Sequence, residues 1–488
     1  MLVDLWGQWR RRLAQQAQQP SGRKGRSVVK SLSGIETQRD VDDRTTRNLV
    51  TAVLAQAVGF DTTFGINGST QVPFQAYSNI LPDFAIAALS NGQTVAVGEG
   101  FVLMKFNPDG TADASFGGTF LPGCATATPP AGINAGGARA IFEQSDGRLV
   151  IAGESNDGVT QGWLFARFDS DGSLDASFGT NGWVVQSFGC NTHIGGAAYQ
   201  ADGKLLVVGW TDSNDGSFIT ARYNPDMTLD ATFGDAGFSL LPQDFQAAYD
   251  PMSVVVQADG RVLVAGSFGS GMSILRYDST GTLDPSFGSS GLQFLAFPDA
   301  DTSQFIRMNL QSDGGIIVGG YTSNENQFAV TRLDASGELD PSFGSNGTQL
   351  IRFGSPNDWM RDLLVTPDDS ILAFGETAQP GAPLAAIAKL TPNGNLDTSF
   401  EGDGKAVLIN SDASTVIRRA ALTADGNVVA ILGNGETSSN ARVGRIIVNS
   451  TVSARRDRVG VSATTATVDD PNAAWELFGQ EDWLMYGR

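Results

Sequence analysis

Histidine occurs once in this 488-residue chain, at His193, and cysteine twice, at Cys124 and Cys190. That supply cannot build a zinc finger, an iron–sulfur site or a binuclear His-rich centre. Basic residues are scarce as well: 32 Lys and Arg stand against 52 Asp and Glu, a formal net charge of −20. A surface of that sign repels phosphate backbones, which excludes general nucleic-acid binding. Long apolar runs are lacking. The longest, Leu49–Phe60, is interrupted by Gln56 and falls short of the roughly 18 residues a transmembrane helix requires. An ordinary cleavable leader is not expected either, because Arg10-Arg11-Arg12 runs into polar Leu13-Ala14-Gln15-Gln16 where an apolar core belongs. A late variant ending at Ala55-Gln56-Ala57 has the small-x-small form but only a short core, Leu49–Leu54.

What the chain has in quantity is glycine (59) and phenylalanine (28) within a 41% apolar composition, which fits a turn-rich, all-β protein. The string Asp-x-Ser/Thr-Phe-Gly recurs at Asp61–Gly65, Asp113–Gly117, Asp175–Gly179, Asp230–Gly234, Asp284–Gly288 and Asp340–Gly344. A further copy, Asp397–Phe400, has Glu401 in place of the glycine. Between these anchors lies a polar turn, a short apolar run and a glycine, as in Asp146–Gly153 and Asp202–Gly209, with related copies ending at Gly98, Gly266, Gly320, Gly375 and Gly433. A third signature is an apolar run closed by a basic residue: Lys105, Arg167, Arg222, Arg276, Arg332, Lys389 and Arg445.

One period translates into four short strands, for instance Trp183–Val185, Gly196–Gln200, Leu205–Trp210 and Phe218–Tyr223, with Asp202-Gly203 turning a hairpin. Four strands repeated without helical segments are the layout of a β-propeller, and seven copies mean seven blades. The first anchor has no basic strand before it and the last basic strand, Ala441–Val448, has no anchor after it. Joining the two completes the last blade from both ends of the chain and removes open sheet edges. The organisation expected is a basic extension (1–58) with helices, a propeller (59–450) and an irregular tail (451–488).

The Leu-Asp-x-Ser-Phe-Gly-x-x-Gly string at Leu174–Gly182, Leu283–Gly291 and Leu339–Gly347 resembles the delta-60 repeat of bacterial proteins. The resemblance spans about residues 59–450 and implies a propeller in a bacterial, often surface-associated or exported, setting. It implies no catalytic residue.

Residues repeated sevenfold are expected to be structural, since chemistry needs an asymmetric site. The anchor Phe is read as an inter-blade wedge, and the anchor Asp, eight residues after its Arg, as an ion-pair partner or amide cap. The turn Asp169-Ser-Asp171-Gly-Ser-Leu-Asp175 spaces its oxygens like a calcium loop, as do Asn107, Asp109 and Asp113 and the set Asn224, Asp226 and Asp230. Calcium is thus the one cofactor the sequence admits, against the simpler reading of Asx turns.

Unrepeated residues carry the functional expectation. The loops holding Glu154, Asn156 and Asp157, then Asp212, Asn214 and Asp215, then Asn324 and Glu325 form a candidate polar ligand-binding face. Cys124 and Cys190 fall in equivalent loops of neighbouring blades, so a disulfide and two free thiols are both open. His193 beside Cys190 lacks a third, orienting group, and no catalytic residue is assigned. The ends offer partner-binding elements: a basic amphipathic helix with Leu5, Trp6 and Trp9, a second helix from Asp42 or Asp43 to Ala57, and an acidic-aromatic end with Trp475, Phe478, Trp483 and Tyr486. The sequence therefore reads as a non-enzymatic interaction or structural module of a bacterial surface, extracellular or particle assembly, reaching the surface by an uncleaved export signal. Cytoplasmic or particle-associated residence, and a carbohydrate- or calcium-binding lectin-like propeller, are the alternatives.

Overall fold

The computed structural model describes residues 58–72, 84–118, 121–212, 218–241, 251–268, 271–295, 297, 303–322, 326–379, 382–408, 415–434 and 437–448, and a small antiparallel pair, Val29–Lys30 with Glu36–Thr37. Both expected N-terminal helices and the acidic-aromatic end lie outside these residues. The chain divides into two units, Met1–Ser450 and Thr451–Arg488, and only the first contains described residues.

Seven antiparallel sheets form the propeller. Blade 1 comprises Ala85–Ala88, Thr94–Val97, Leu103–Phe106 and Cys124–Ala125, from the innermost strand outward. Blade 2 comprises Asn134–Glu143, Leu149–Asn156, Gln161–Phe168 and Trp183–Gln186; blade 3 comprises Thr192–Tyr199, Leu205–Thr211, Phe218–Tyr223 and Phe238–Leu240. Blade 4 comprises Pro251–Val256, Val262–Phe268, Gly271–Tyr277 and Leu292–Leu295; blade 5 comprises Ser303–Leu310, Ile316–Thr322, Phe328–Leu333 and Thr348–Ile351. Blade 6 comprises Asp358–Val365, Ile371–Gln379, Ala382–Leu390 and Lys405–Leu408. Blade 7 takes Val416–Leu422, Val428–Asn434 and Thr437–Ile447 from the end of the ring, and Gly59–Phe60 with Ser69–Gln71 from its start. The closure expected from the order of the signatures is therefore present: Phe60 pairs with Ile446, and Ser69, Thr70 and Gln71 pair with Gly444, Val443 and Arg442.

Each sheet is apolar on both faces, so neighbouring blades share cores. Leu263, Ala265 and Ile274 of blade 4 pack with Met308, Ile316 and Val318 of blade 5, and Ala96 and Phe106 of blade 1 pack with Ile431 and Val443 of blade 7. The anchor phenylalanines sit in these cores: Phe233, Phe287 and Phe343 are fully buried. Burial of one such ring contributes about 1.5–3 kcal/mol.

The anchors also latch each blade to the next, and blade 4 shows how. The Arg276 guanidinium donates to Asp284 at 2.9 Å and lies 4.6 Å over the Phe287 ring. The other oxygen of Asp284 accepts the Ser286 amide and hydroxyl at 3.0 and 2.7 Å, an Asx turn with a hydroxyl added. Arg276 also donates to the Ala335 carbonyl of blade 5, and the Gly288 amide donates to the Ser336 carbonyl at 2.9 Å. Gly337 in that receiving turn has φ +90°, and a Cβ there would lie 2.7 Å from the Phe287 ring, so both the conformation and the space require glycine. All seven blades keep the basic–acidic pair, down to Arg445 and Asp61 at 3.6 Å, which joins the two ends of the ring. The anchor Asp is both a pair partner and a cap.

One register reading needs correction. In blade 7 the residue equivalent to Gly375 is Leu432, and Gly433 stands one place later, because Val429 is the residue opposite Arg445 just as Leu372 is opposite Lys389.

A candidate functional site at the mouth of the channel

Where the innermost strand of each blade meets the second, most blades carry a β-bulge that turns one residue out of the ladder. The bulged residue is Arg139 in blade 2, Gly195 in blade 3, Met252 in blade 4, Ile306 in blade 5, Arg361 in blade 6 and Arg418 in blade 7. Bulges re-aim side chains and recur beside functional sites. Here they bring arginines to the mouth of the central channel of an otherwise acidic protein.

Arg139 donates to Glu154 on the second strand of its own blade at 3.1 Å, and Arg361 donates in the same way to Glu376 at 2.9 Å. Blade 7 has Gly433 at the corresponding place, and Arg418 lies over it, 3.5 Å from where a Cβ would stand. The Arg361 guanidinium is also 5.7 Å from the Trp359 ring.

The neighbourhood of Glu154 extends into blade 3. His193 lies 3.8 Å from Glu154 through Nδ1 and 3.1 Å from Asp212 through Nε2, and its ring stacks at 4.8 Å on Trp210. The backbone carbonyl of His193 accepts the indole N–H of Trp163 at 3.0 Å, which fixes the strand holding it. Glu154 raises the His193 pKa most, with Asp212 adding to it, and together they outweigh burial to bring it to about 9. Glu154 acts more strongly despite the longer distance because its side chain is 16% exposed against 49% for Asp212, so water screens it less. Burial alone would raise the Glu154 carboxyl, but His193 and Arg139 hold it below its usual value. At neutral pH this is an imidazolium between two carboxylates, a fixed cation and not a general base.

The sign of the linkage follows. A histidine whose folded pKa exceeds its unfolded value near 6.5 stabilises the protein fully below that value and ceases to do so as pH rises through about 9. Thermal stability measured from pH 6.5 to 9.5 should therefore fall more steeply for the natural protein than for His193→Gln, with a difference of roughly 1–3 kcal/mol after solvent screening.

Of the residues expected to bind ligand, Glu154 and Asp212 are brought together around His193. Asn156 and Asp157 are not: Asn156 accepts the Gly158 amide at 2.7 Å, and Asp157 accepts the amides of Val159 and Thr160 at 2.8 and 2.6 Å, within their own turn. Asn214, Asp215, Asn324 and Glu325 lie outside the described residues. Cys124 and Cys190 are both free thiols. Cys124 lies in the outermost strand of blade 1, not in a loop, while Cys190 contacts the Phe188 carbonyl at 3.9 Å and the imidazole turns to its carboxylates instead. The calcium-like turn directs its oxygens at protein donors: Asp171 accepts the Ser173 amide and hydroxyl, Asp175 those of Ser177, and Asp169 the Arg148 guanidinium. Arg139, Trp210, Arg361, Glu376 and Arg418 were missed from the sequence. For the three arginines the signal is a charged residue interrupting the innermost strand at one register position.

Six segments, residues 89–116, 144–178, 200–233, 257–287, 311–343 and 366–400, match a family model described as a domain of unknown function (DUF5122) beta-propeller. Each match ends at or beside an anchor phenylalanine. No curated protein matches the sequence. Similar solved structures include a Dyadobacter fermentans protein of unknown function, 11% identical with a TM-score of 0.40, covering 64% of this chain and 95% of that one. A Lactobacillus plantarum protein is 17% identical with a TM-score of 0.40, covering 67% and 83%. The polysaccharide lyase Uly1 is 12% identical with a TM-score of 0.43, covering 81% and 98%. At these identities and scores none of the likenesses bears on activity. The chain is a seven-bladed β-propeller whose repeats match a propeller family of unknown function, and the description of that family does not carry the delta-60 name.

Proposed function

We propose that the protein is a non-enzymatic interaction module of a bacterial surface, extracellular or particle assembly, in which the ring is the rigid support and the terminal segments attach it. The observation that supports this reading most is where the ionisable groups go. The seven anchor carboxylates face arginine or lysine of their own blade, and the single imidazole is held as a cation between Glu154 and Asp212. Each of these groups is held in an ion pair within the fold. The unrepeated apolar residues Leu5, Trp6 and Trp9 at one end, with Trp475, Phe478, Trp483 and Tyr486 at the other, supply anchors of the kind that dominate binding interfaces.

The test is co-sedimentation in the native producer. Full-length protein is expected to travel with the cell surface or with a large particle, and proteins lacking residues 1–57 or 451–488 to shift to the soluble fraction. Full-length protein that remains soluble and dispersed overturns the reading.

A further inference from the structure

Just below the bulges, one register position on the innermost strands holds Arg307 in blade 5, Asp362 in blade 6 and Arg419 in blade 7, where blade 3 has Gly196 and blade 4 has Ser253. Asp362 is fully engaged. One oxygen accepts Arg307 at 3.0 Å and the other the Ala420 amide at 2.8 Å. Arg419 has no such partner: its Nε is buried without a hydrogen bond, and no described residue forms an ion pair with it. Its charge interacts with Arg307, Asp362 and Arg139. Those residues belong to blades 5, 6 and 2, and blades 2 and 5 lie two places away from blade 7 on opposite sides. Arg419 stands on the innermost strand of blade 7, and charges from both sides of the ring act on it.

We propose that the central channel is a binding site for a small oxyanion, a carboxylate or phosphate group, gripped by the guanidinium of Arg419. A charge partly removed from water and without an ion-pair partner is unfavourable, and a planar guanidinium fork matches the two oxygens of a carboxylate or phosphate. Burial, reinforced by Arg307 and Arg139, outweighs the opposing effect of Asp362 and lowers the Arg419 pKa to about 9. Arg307 and Arg139 add positive potential around the same point, in a protein whose net charge of −20 would otherwise exclude anions.

The experiment uses the full chain with selenate and inorganic phosphate as probes. Titration calorimetry is expected to show one saturable selenate site per chain, and crystals grown with selenate to show its anomalous peak at Arg419. Phosphate should raise the melting temperature of the natural protein by several degrees relative to chloride. Arg419→Met should melt higher than the natural protein in chloride, lose the phosphate response and bind selenate at least tenfold more weakly. Arg148→Met, which removes an equal charge from the exposed Asp146–Asp169 cluster, should keep the response. Three results overturn the proposal: no saturable binding, an equal phosphate response in both variants, or density showing a carboxylate of this chain's own undescribed residues against Arg419. The calorimetry and crystal need only the natural protein, so the proposal remains testable even if Arg419→Met fails to fold.

Discussion

Removing residues 1–72 is expected to turn a cooperatively folding ring into an aggregating chain, whereas removing residues 1–57 should leave the melting transition within a few degrees. The fifteen residues between those cuts, 58–72, hold both N-terminal strands of blade 7. Their loss strips the Thr437–Ile447 strand of its outer partner and leaves a long edge with unpaired amides and carbonyls. It removes the Asp61–Arg445 backbone hydrogen bond at 2.8 Å, the Val72–Ala441 bond at 3.1 Å and the Arg445–Gly68 bond at 3.2 Å, each with a net value of about 0.5–1.5 kcal/mol. It also removes Phe64, buried between blades 7 and 1, an absence comparable to the roughly 3–5 kcal/mol of a core Phe→Ala change. These losses together approach the whole stability of a typical protein, about 5–15 kcal/mol. Calorimetry with light scattering decides the matter. A soluble, cooperatively melting chain of residues 73–488 would show that the ring does not depend on its closure.

The largest effect of a single substitution is expected at the anchor phenylalanines. Phe287→Ala should lower stability by about 3–5 kcal/mol, because the ring is fully buried between blades 4 and 5 and lies beneath Arg276. Phe287→Leu keeps most of the volume and should cost about 1–1.5 kcal/mol. Urea titration of the three proteins measures both. An alanine variant as stable as the natural protein would mean that the wedge carries no packing energy. The same ring also explains why Gly337 follows it in space, so the two positions are coupled and their effects should not add.

The architecture was legible because the physics repeats. A turn that needs positive φ, a wedge that needs an aromatic ring and a basic strand that needs its carboxylate recur seven times, and their order shows where the ring closes. Gly433 misled the alignment of blade 7 because a glycine one place late still ends an apolar run, and only the pairing of Val429 with Arg445 reveals the slip. The site was less legible. Glu154 and Asp212 were visible as unrepeated loop carboxylates, but His193 was grouped with Cys190, its neighbour in sequence. The bulge after Ile194 and the stacking on Trp210 direct it to the carboxylates instead. Arg139, Arg361, Arg418 and Arg419 were hidden because a charged residue inside a strand reads locally as a solvated position. That they converge on one channel follows from ring geometry, which no local pattern carries.

The central claim is that the ring supports and the terminal segments attach. Its most direct measurement is transplantation: residues 1–57 and 451–488 fused to an unrelated soluble reporter and fractionated in the native producer beside residues 58–450 alone. The account predicts that the reporter moves to the fraction occupied by the full-length protein while the isolated ring stays soluble. A reporter that stays soluble while the isolated ring still reaches that fraction would contradict it, and would place the attachment on the blades themselves.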